Sequence, residues 1–317
     1  MFVALENCPP VVVLMQKIHV SRIMTLMLFA GFALPLDAQI IDNRQGKVFQ
    51  EEMYFNQQFI WQNKIKSITG VKSIKRPNRA IEQRPDLIAF RFNEVGQLTS
   101  LDKISSVLHL VDSLQIFYQR NSLGDLELKT EQGTKGYHTT NYHYDQQGRL
   151  DRLSFGKTEN LSHEKGKLEP GQAIVVNSET YEWVESAPHV LKKKNYNNYG
   201  LHYSNWTLTK NDLGYIQSET EELIMSGRTT TKTYTYQEKG WIAETVSADN
   251  QNTATKTEKF RYDELGNLTK VEYFINGKIV REIEVLYKPT LLLEAFLDHD
   301  MVTDEVVITK FSFEYYP

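Results

Sequence analysis

FRYDELGNLTKVEYFINGKIVREIEVLY, Phe260–Tyr287, carries the fold in miniature. Phe260 and Tyr262 stand at i and i+2, so a strand places both rings on one face. Asp263 follows, a residue that bonds the backbone ahead and starts a turn. Gly266, three residues later, supplies the positive φ that closes it. Leu268 resumes an alternation that runs to Ile275, and Asn276-Gly277 is the strongest short-range signal for a tight hairpin turn. Beyond it Ile279, Arg281, Ile283 and Val285 alternate against Val280, Glu282, Glu284 and Leu286. The segment predicts a meander of three antiparallel strands.

The first nine residues of that stretch recur along the chain. Phe90-Arg-Phe92-Asn93-Glu-Val-Gly96-Gln-Leu98 and Tyr142-His-Tyr144-Asp145-Gln-Gln-Gly148-Arg-Leu150 repeat the whole phrase. Tyr234-Thr-Tyr236-Gln-Glu-Lys-Gly240-Trp-Ile242 keeps the aromatic pair and the glycine but loses the Asp. Two degraded copies keep the offsets, with Asn121 and Gly124 after Tyr118, and Asn211 and Gly214 after Leu208. The glycines lie 28, 24, 66, 26 and 26 residues apart, and the long interval is close to two and a half units. Each copy reads as aromatic strand, Asp/Asn-x-x-Gly turn and return strand, and the period leaves room for a second, less regular turn.

The predicted fold is therefore all-β, a meandering antiparallel sheet built from these hairpin repeats. Four parts follow: a leader over 1–38, a first repeat region over 39–155, a polar loop over 156–172 ending in Pro170-Gly171, and a second repeat region over 173–317. Val48–Asn63 is long enough for four helical turns, although its apolar positions do not hold one face. The last strand, Val306–Tyr316, covers the face carrying Val307, Thr309, Phe311, Phe313 and Tyr315.

The leader has the three-part layout of an export signal. Translation from Met15 puts Lys17 and Arg22 before an apolar run, Ile23–Leu36, and Ala38 offers a small residue for cleavage. The run is 14 residues, about 21 Å as helix against a hydrocarbon core of roughly 30 Å. It is too short for a stable span, and the product would begin near Gln39. The expected setting is exported: periplasm, cell surface or culture medium. The one cysteine, Cys8, lies ahead of Met15, which removes thiol nucleophiles and thiolate metal sites from the product.

The chain has 317 residues with 17 Tyr, 15 Phe and four Trp, too aromatic for a disordered protein. Its net charge of −4 argues against general nucleic-acid binding, which draws on Lys and Arg to neutralise phosphates.

The Tyr/Phe-x-Tyr/Phe-Asp/Asn-x-x-Gly-x-Leu phrase resembles the YD repeat, also called the RHS repeat, across roughly Ser67 to Tyr287. The resemblance implies stacked β-hairpins in a long curled sheet and an exported bacterial setting of the Bacteroidetes type. Six copies, three of them degraded, cannot form the closed shells of the long family members, and no separate domain follows Tyr287. The toxin-delivery role is therefore not transferred.

Chemistry-bearing motifs are few. No phosphate-cradling glycine loop, zinc-protease helix or nucleophile elbow is present, and neither a catalytic residue nor a cofactor is expected. His138 and His143, five apart in a strand, point to opposite faces. Asp298, Asp300 and Asp304 surround His299 and are the candidate ligands for a hard cation, though without a recognised spacing. Glu282 and Glu284 share a strand face that alternation assigns to solvent. The richest aromatic patch is Tyr196, Tyr199, Tyr203 and Trp206, side chains able to stack on sugars or bind a peptide. The leading functional expectation is a non-catalytic envelope or surface protein that binds a protein or polysaccharide partner, with no nucleic acid and no integral membrane span in the mature chain. The alternatives are a secreted glycan-acting hydrolase and an outer-membrane β-barrel. The barrel is set back because strands such as Thr229–Tyr236 are rich in Thr and Lys.

Overall fold

A computed structural model describes residues 39–52, 54–107, 110–133, 136–162 and 169–317. The compact unit is Ala38–Pro317. The strands run in chain order as β1 (Ile65–Lys75), β2 (Glu82–Phe92), β3 (Leu98–Val107), β4 (Leu110–Arg120), β5 (Leu126–Gly133) and β6 (Gly136–Tyr144). They continue as β7 (Leu150–Asn160), β8 (Pro170–Ala187), β9 (Val190–Tyr196), β10 (His202–Lys210), β11 (Ile216–Leu223) and β12 (Thr229–Tyr236). The last six are β13 (Ile242–Asp249), β14 (Asn252–Tyr262), β15 (Leu268–Ile275), β16 (Lys278–Tyr287), β17 (Leu293–Asp300) and β18 (Glu305–Tyr315).

Every strand pairs antiparallel with the next, and β18 pairs with β1 from Ile65↔Tyr315 to Lys75↔Val306. The 18-stranded sheet is closed. This overturns the expected meandering repeat sheet and, with it, the YD/RHS reading of a long curled sheet: the chain is an up-and-down antiparallel barrel with no free edge. Thr229–Tyr236, whose Thr and Lys content set the barrel alternative back, is β12 of that barrel.

The expectation of no integral membrane span is corrected as well. No helix among the described residues is long and apolar enough to cross a membrane. That leaves strands out of account, and closed barrels are one of the two architectures that do cross bilayers. The outward face carries the ion pairs Arg91–Asp102, Arg261–Glu272 at 3.0 Å, Lys259–Glu244 at 3.5 Å and Lys270 with Glu282 and Glu284 at 2.8 and 2.9 Å.

The repeat has a definite structural meaning. Strands alternate up and down, so turns after even-numbered strands share one rim, and all six copies of the phrase end there. In each, the first turn residue donates its N–H to the carbonyl four residues on, and the glycine N–H returns to the first residue's carbonyl: Asn93–Gln97 at 3.0 Å and Gly96–Asn93 at 2.9 Å are one example. Asn93, Asn121, Asp145, Asn211 and Asp263 also accept N–H bonds on their side-chain oxygens from the turn ahead. The six glycines sit at φ from +74 to +92°, open to glycine at no steric cost. Another turn of the same geometry on this rim lies between β16 and β17, where Leu291 at φ +64° replaces glycine, which hid it from the sequence pattern, and one on the opposite rim, Asn197–Leu201 with Gly200 at φ +73°, joins β9 to β10. One residue before each of these turns the register shifts by a bulge. The 66-residue glycine interval spans β7–β10, whose rim turn at Pro188-His189 is of another kind.

Aromatic side chains staple neighbouring units. Tyr144, Tyr236 and Tyr287 donate their hydroxyls to the carbonyls of Leu126, Ile216 and Leu268 at 2.8–2.9 Å. The Trp183 indole N–H does the same to Leu150 at 2.7 Å. Each acceptor stands two residues after the glycine of the preceding unit.

The barrel is filled on one side by its own N-terminal segment, 39–63. Asn43 donates to the Tyr262 hydroxyl at 2.9 Å, Lys232 donates to the Gly46 carbonyl at 3.0 Å, Phe49 packs edge-on against Phe296, and Phe55 against Phe90 and Phe92. These contacts reach β12, β14, β17 and β2, so the segment crosses the inner face. Only Gln57–Gln62 of the expected four-turn helix is helical (α1), capped by Asn56, whose side chain accepts from Gln58 and Phe59. Ile40, Ile41, Phe59 and Ile60 bury against Phe90, Leu101, Val271 and Ile283 in a single core. Among the described residues, no fully buried member of that core comes from β6–β11.

Candidate functional site

The inner wall of β8–β11 is left uncovered by that segment. Register sets Tyr181 opposite Asn195, Trp183 opposite Lys193, and Lys193 in turn opposite Trp206. Period-two alternation puts these side chains on the inward face. The Lys193 ammonium lies over three rings, 4.3 Å from the Tyr181 centroid and 5.5 Å from those of Trp183 and Trp206. Trp183 and Trp206 meet edge to face at 6.0 Å. Burial among these rings pushes the Lys193 pKa down, partly opposed by the carboxylates of Glu221, Glu179 and Glu219.

Each carboxylate is held by a hydroxyl. Tyr181 donates to Glu179 at 2.8 Å, Tyr234 to Glu219 at 3.1 Å and Ser204 to Glu221 at 3.2 Å. One oxygen of each is thereby oriented while the carboxylate keeps further acceptor capacity. Tyr203 belongs to the same cluster: burial first, then Glu179, raise its pKa to about 12. The wall thus combines aromatic faces with fixed acceptors and one ammonium, the chemistry of a hydroxyl-rich ligand with apolar faces.

Of the four aromatic candidates read from sequence, the structure brings Tyr203 and Trp206 together here. Tyr196 is directed elsewhere, bonding Glu182 at 2.6 Å and tilting against His202, while Tyr199 stands 81% exposed at the turn between β9 and β10. Sequence reading missed Tyr181, Trp183, Lys193 and the three glutamates. Their signal was the period-two run Glu179-x-Tyr181-x-Trp183, legible once β8 is known to be a strand.

The cation candidates separate. Asp298 is paired with Arg281 through two bonds of 2.7 Å, Asp300 accepts the turn N–H groups of Val302 and Thr303, and Asp304 bonds His299 at 2.8 Å. Among the described residues no group of three His, Cys, Asp or Glu is placed to hold a metal ion. Asn276 (φ +50°) and Gly277 (φ +75°) form the tight turn between β15 and β16.

No family model and no curated protein matches the chain. Among solved structures it is similar to a porin-like protein from Bacteroides uniformis at 9% identity, covering 80% of this chain and 97% of that one with a TM-score of 0.38. A porin-like protein from Bacteroides vulgatus follows at 8% identity, 80% and 98% coverage and a TM-score of 0.32. The Photorhabdus luminescens Tc holotoxin pore aligns at 8% identity over 71% of this chain and 19% of that one, with a TM-score of 0.23. The fold rests on the strand pairing itself. The protein is an all-β barrel of eighteen antiparallel strands.

Proposed function

We propose that this barrel is a binding protein whose ligand, a neutral oligosaccharide, lies against the inner wall of β8–β11. The observation that carries the reading is the Lys193 cluster, three rings and three hydroxyl-oriented carboxylates on the side of the lumen that the N-terminal segment leaves open. Aromatic faces stack on the C–H faces of sugar rings, and carboxylates accept from sugar hydroxyls. The work is binding, not bond cleavage: Glu282 and Glu284, which share one strand face, are both tied to Lys270 on the outer face.

The test is titration of the full chain with a panel of neutral envelope oligosaccharides, followed by tryptophan fluorescence. Trp206→Ala is expected to weaken binding at least about tenfold, as loss of one stacking side chain does, while Tyr199→Ala leaves it unchanged. Absence of saturable binding across the panel, or equal loss in both variants, overturns the reading.

A second reading, an outer-membrane barrel, is favoured by the closed sheet of eighteen strands. Carbonate extraction of native envelopes tests this second reading: retention in the pellet supports it, and release overturns it.

A further inference from the structure

A separate cavity lies between the N-terminal segment and the inner wall of β1–β3 and β16–β18, with a volume of about 330 Å³. That is within the range of small-molecule sites, roughly 300–1,000 Å³. Its floor is the apolar core: Phe90, Leu101, Ile283 and Phe311 are each less than 8% exposed. Its upper wall is charged, with Lys72, Lys103, Arg281, Asp298 and the pair Glu51 and Glu52.

Nearly all of that charge is spent. Arg281 and Asp298 bind each other. Glu51 faces Lys47 at 3.5 Å, and Glu52 is shared by Lys103 and Lys129 at 3.9 Å each. Among the described residues lining the cavity, Lys72 is the cation without an ion-pair partner. It stands two residues along β1 from Gly70, where a Cβ would meet Thr309, Phe311 and Ile88, so both positions share the inward face.

We infer that this cavity is a second ligand site, for a small amphipathic carboxylate whose anionic head pairs with Lys72 and whose short hydrocarbon tail lies on the phenylalanine floor. An apolar floor beneath one uncompensated ammonium selects that class. A neutral alkyl chain leaves Lys72 unpaired, and a fully polar anion leaves the floor wet.

The test is calorimetric titration of the full chain with octanoate and, in parallel, octanol. Saturable one-to-one octanoate binding is expected, with octanol at least about tenfold weaker, the scale of one charge-assisted hydrogen bond. Lys72→Gln is expected to lose that same factor and Lys72→Arg to restore it, both with the far-ultraviolet spectrum of the parent. Octanol binding as tightly as octanoate, unchanged affinity in Lys72→Gln, or no saturable binding overturns the proposal. Oligosaccharide affinity is expected to be unchanged in Lys72→Gln, so this site and the β8–β11 wall stand or fall separately.

Discussion

The Tyr236 hydroxyl donates to the Ile216 carbonyl at 2.8 Å, joining two hairpins 20 residues apart in sequence. Ile216 follows the turn glycine Gly214 by two residues, beside the bulge that displaces the ladder register. The phenol therefore satisfies a carbonyl at a point where the regular ladder is broken. The same relationship at Tyr144, Tyr287 and Trp183 makes the repeated aromatic a link between units as well as a core side chain.

Tyr236→Phe and Tyr287→Phe each remove one hydroxyl and leave its carbonyl acceptor behind. Each is expected to cost about 1 kcal/mol in urea unfolding. An unchanged midpoint in both would show that these bonds do not support the barrel.

Gly96 and Gly214 occupy the same place in the repeat, at φ +79° and +84°. A Cβ at Gly214 meets nothing within 4 Å, so Gly214→Ala carries only the left-handed backbone cost, about 1 kcal/mol. At Gly96 the added carbon overlaps the Gln57 carbonyl and the Trp61 backbone nitrogen of α1. Gly96→Ala is expected to cost about 3 kcal/mol, the strain plus an overpacking term. Equal losses would mean that α1 does not seat against this turn.

Burial raises the phenol pKa values of Tyr118, Tyr234, Tyr273 and Tyr287, and takes Tyr262 up to about 12. A folded pKa above the unfolded 10 means that the stabilisation is whole below pH 10 and is lost as pH rises through the folded values. Alkaline titration should show tyrosinate absorbance rising together with loss of β-structure, in one cooperative step. A gradual titration near pH 10 with the fold intact would contradict this burial.

The local grammar was legible in sequence. The glycines at 96, 124, 148, 214, 240 and 266 mark one rim, Asn276-Gly277 marks a tight turn on the other, and alternation assigns Phe311 and Ile283 to the covered face. Closure was not legible, because Thr69 and Ser312 pair across 243 positions and no local pattern encodes that contact. A repeated hairpin phrase describes an open sheet and a closed one equally well. The filling of the lumen escaped for a related reason: residues 39–63 have little regular structure of their own and are held by contacts with strands far along the chain. Within the candidate wall, Tyr203 and Trp206 stood out as aromatic. Lys193 and the glutamates look like a solvated face until the register of β8–β11 turns them inward.

Closure between β1 and β18 is the central claim, and a thiol pair tests it most directly. Thr69 and Ser312 are register partners, and partnered Cα atoms in an antiparallel pair lie about 4.5–5.5 Å apart. The variant carrying Thr69→Cys and Ser312→Cys, with Cys8→Ser to remove the native thiol, should form an intramolecular cross-link with a short bis-maleimide and migrate as a compact monomer. In a flat open sheet, seventeen strand spacings separate these positions by about 80 Å. Cross-linking only between molecules, or none, would contradict the closed barrel.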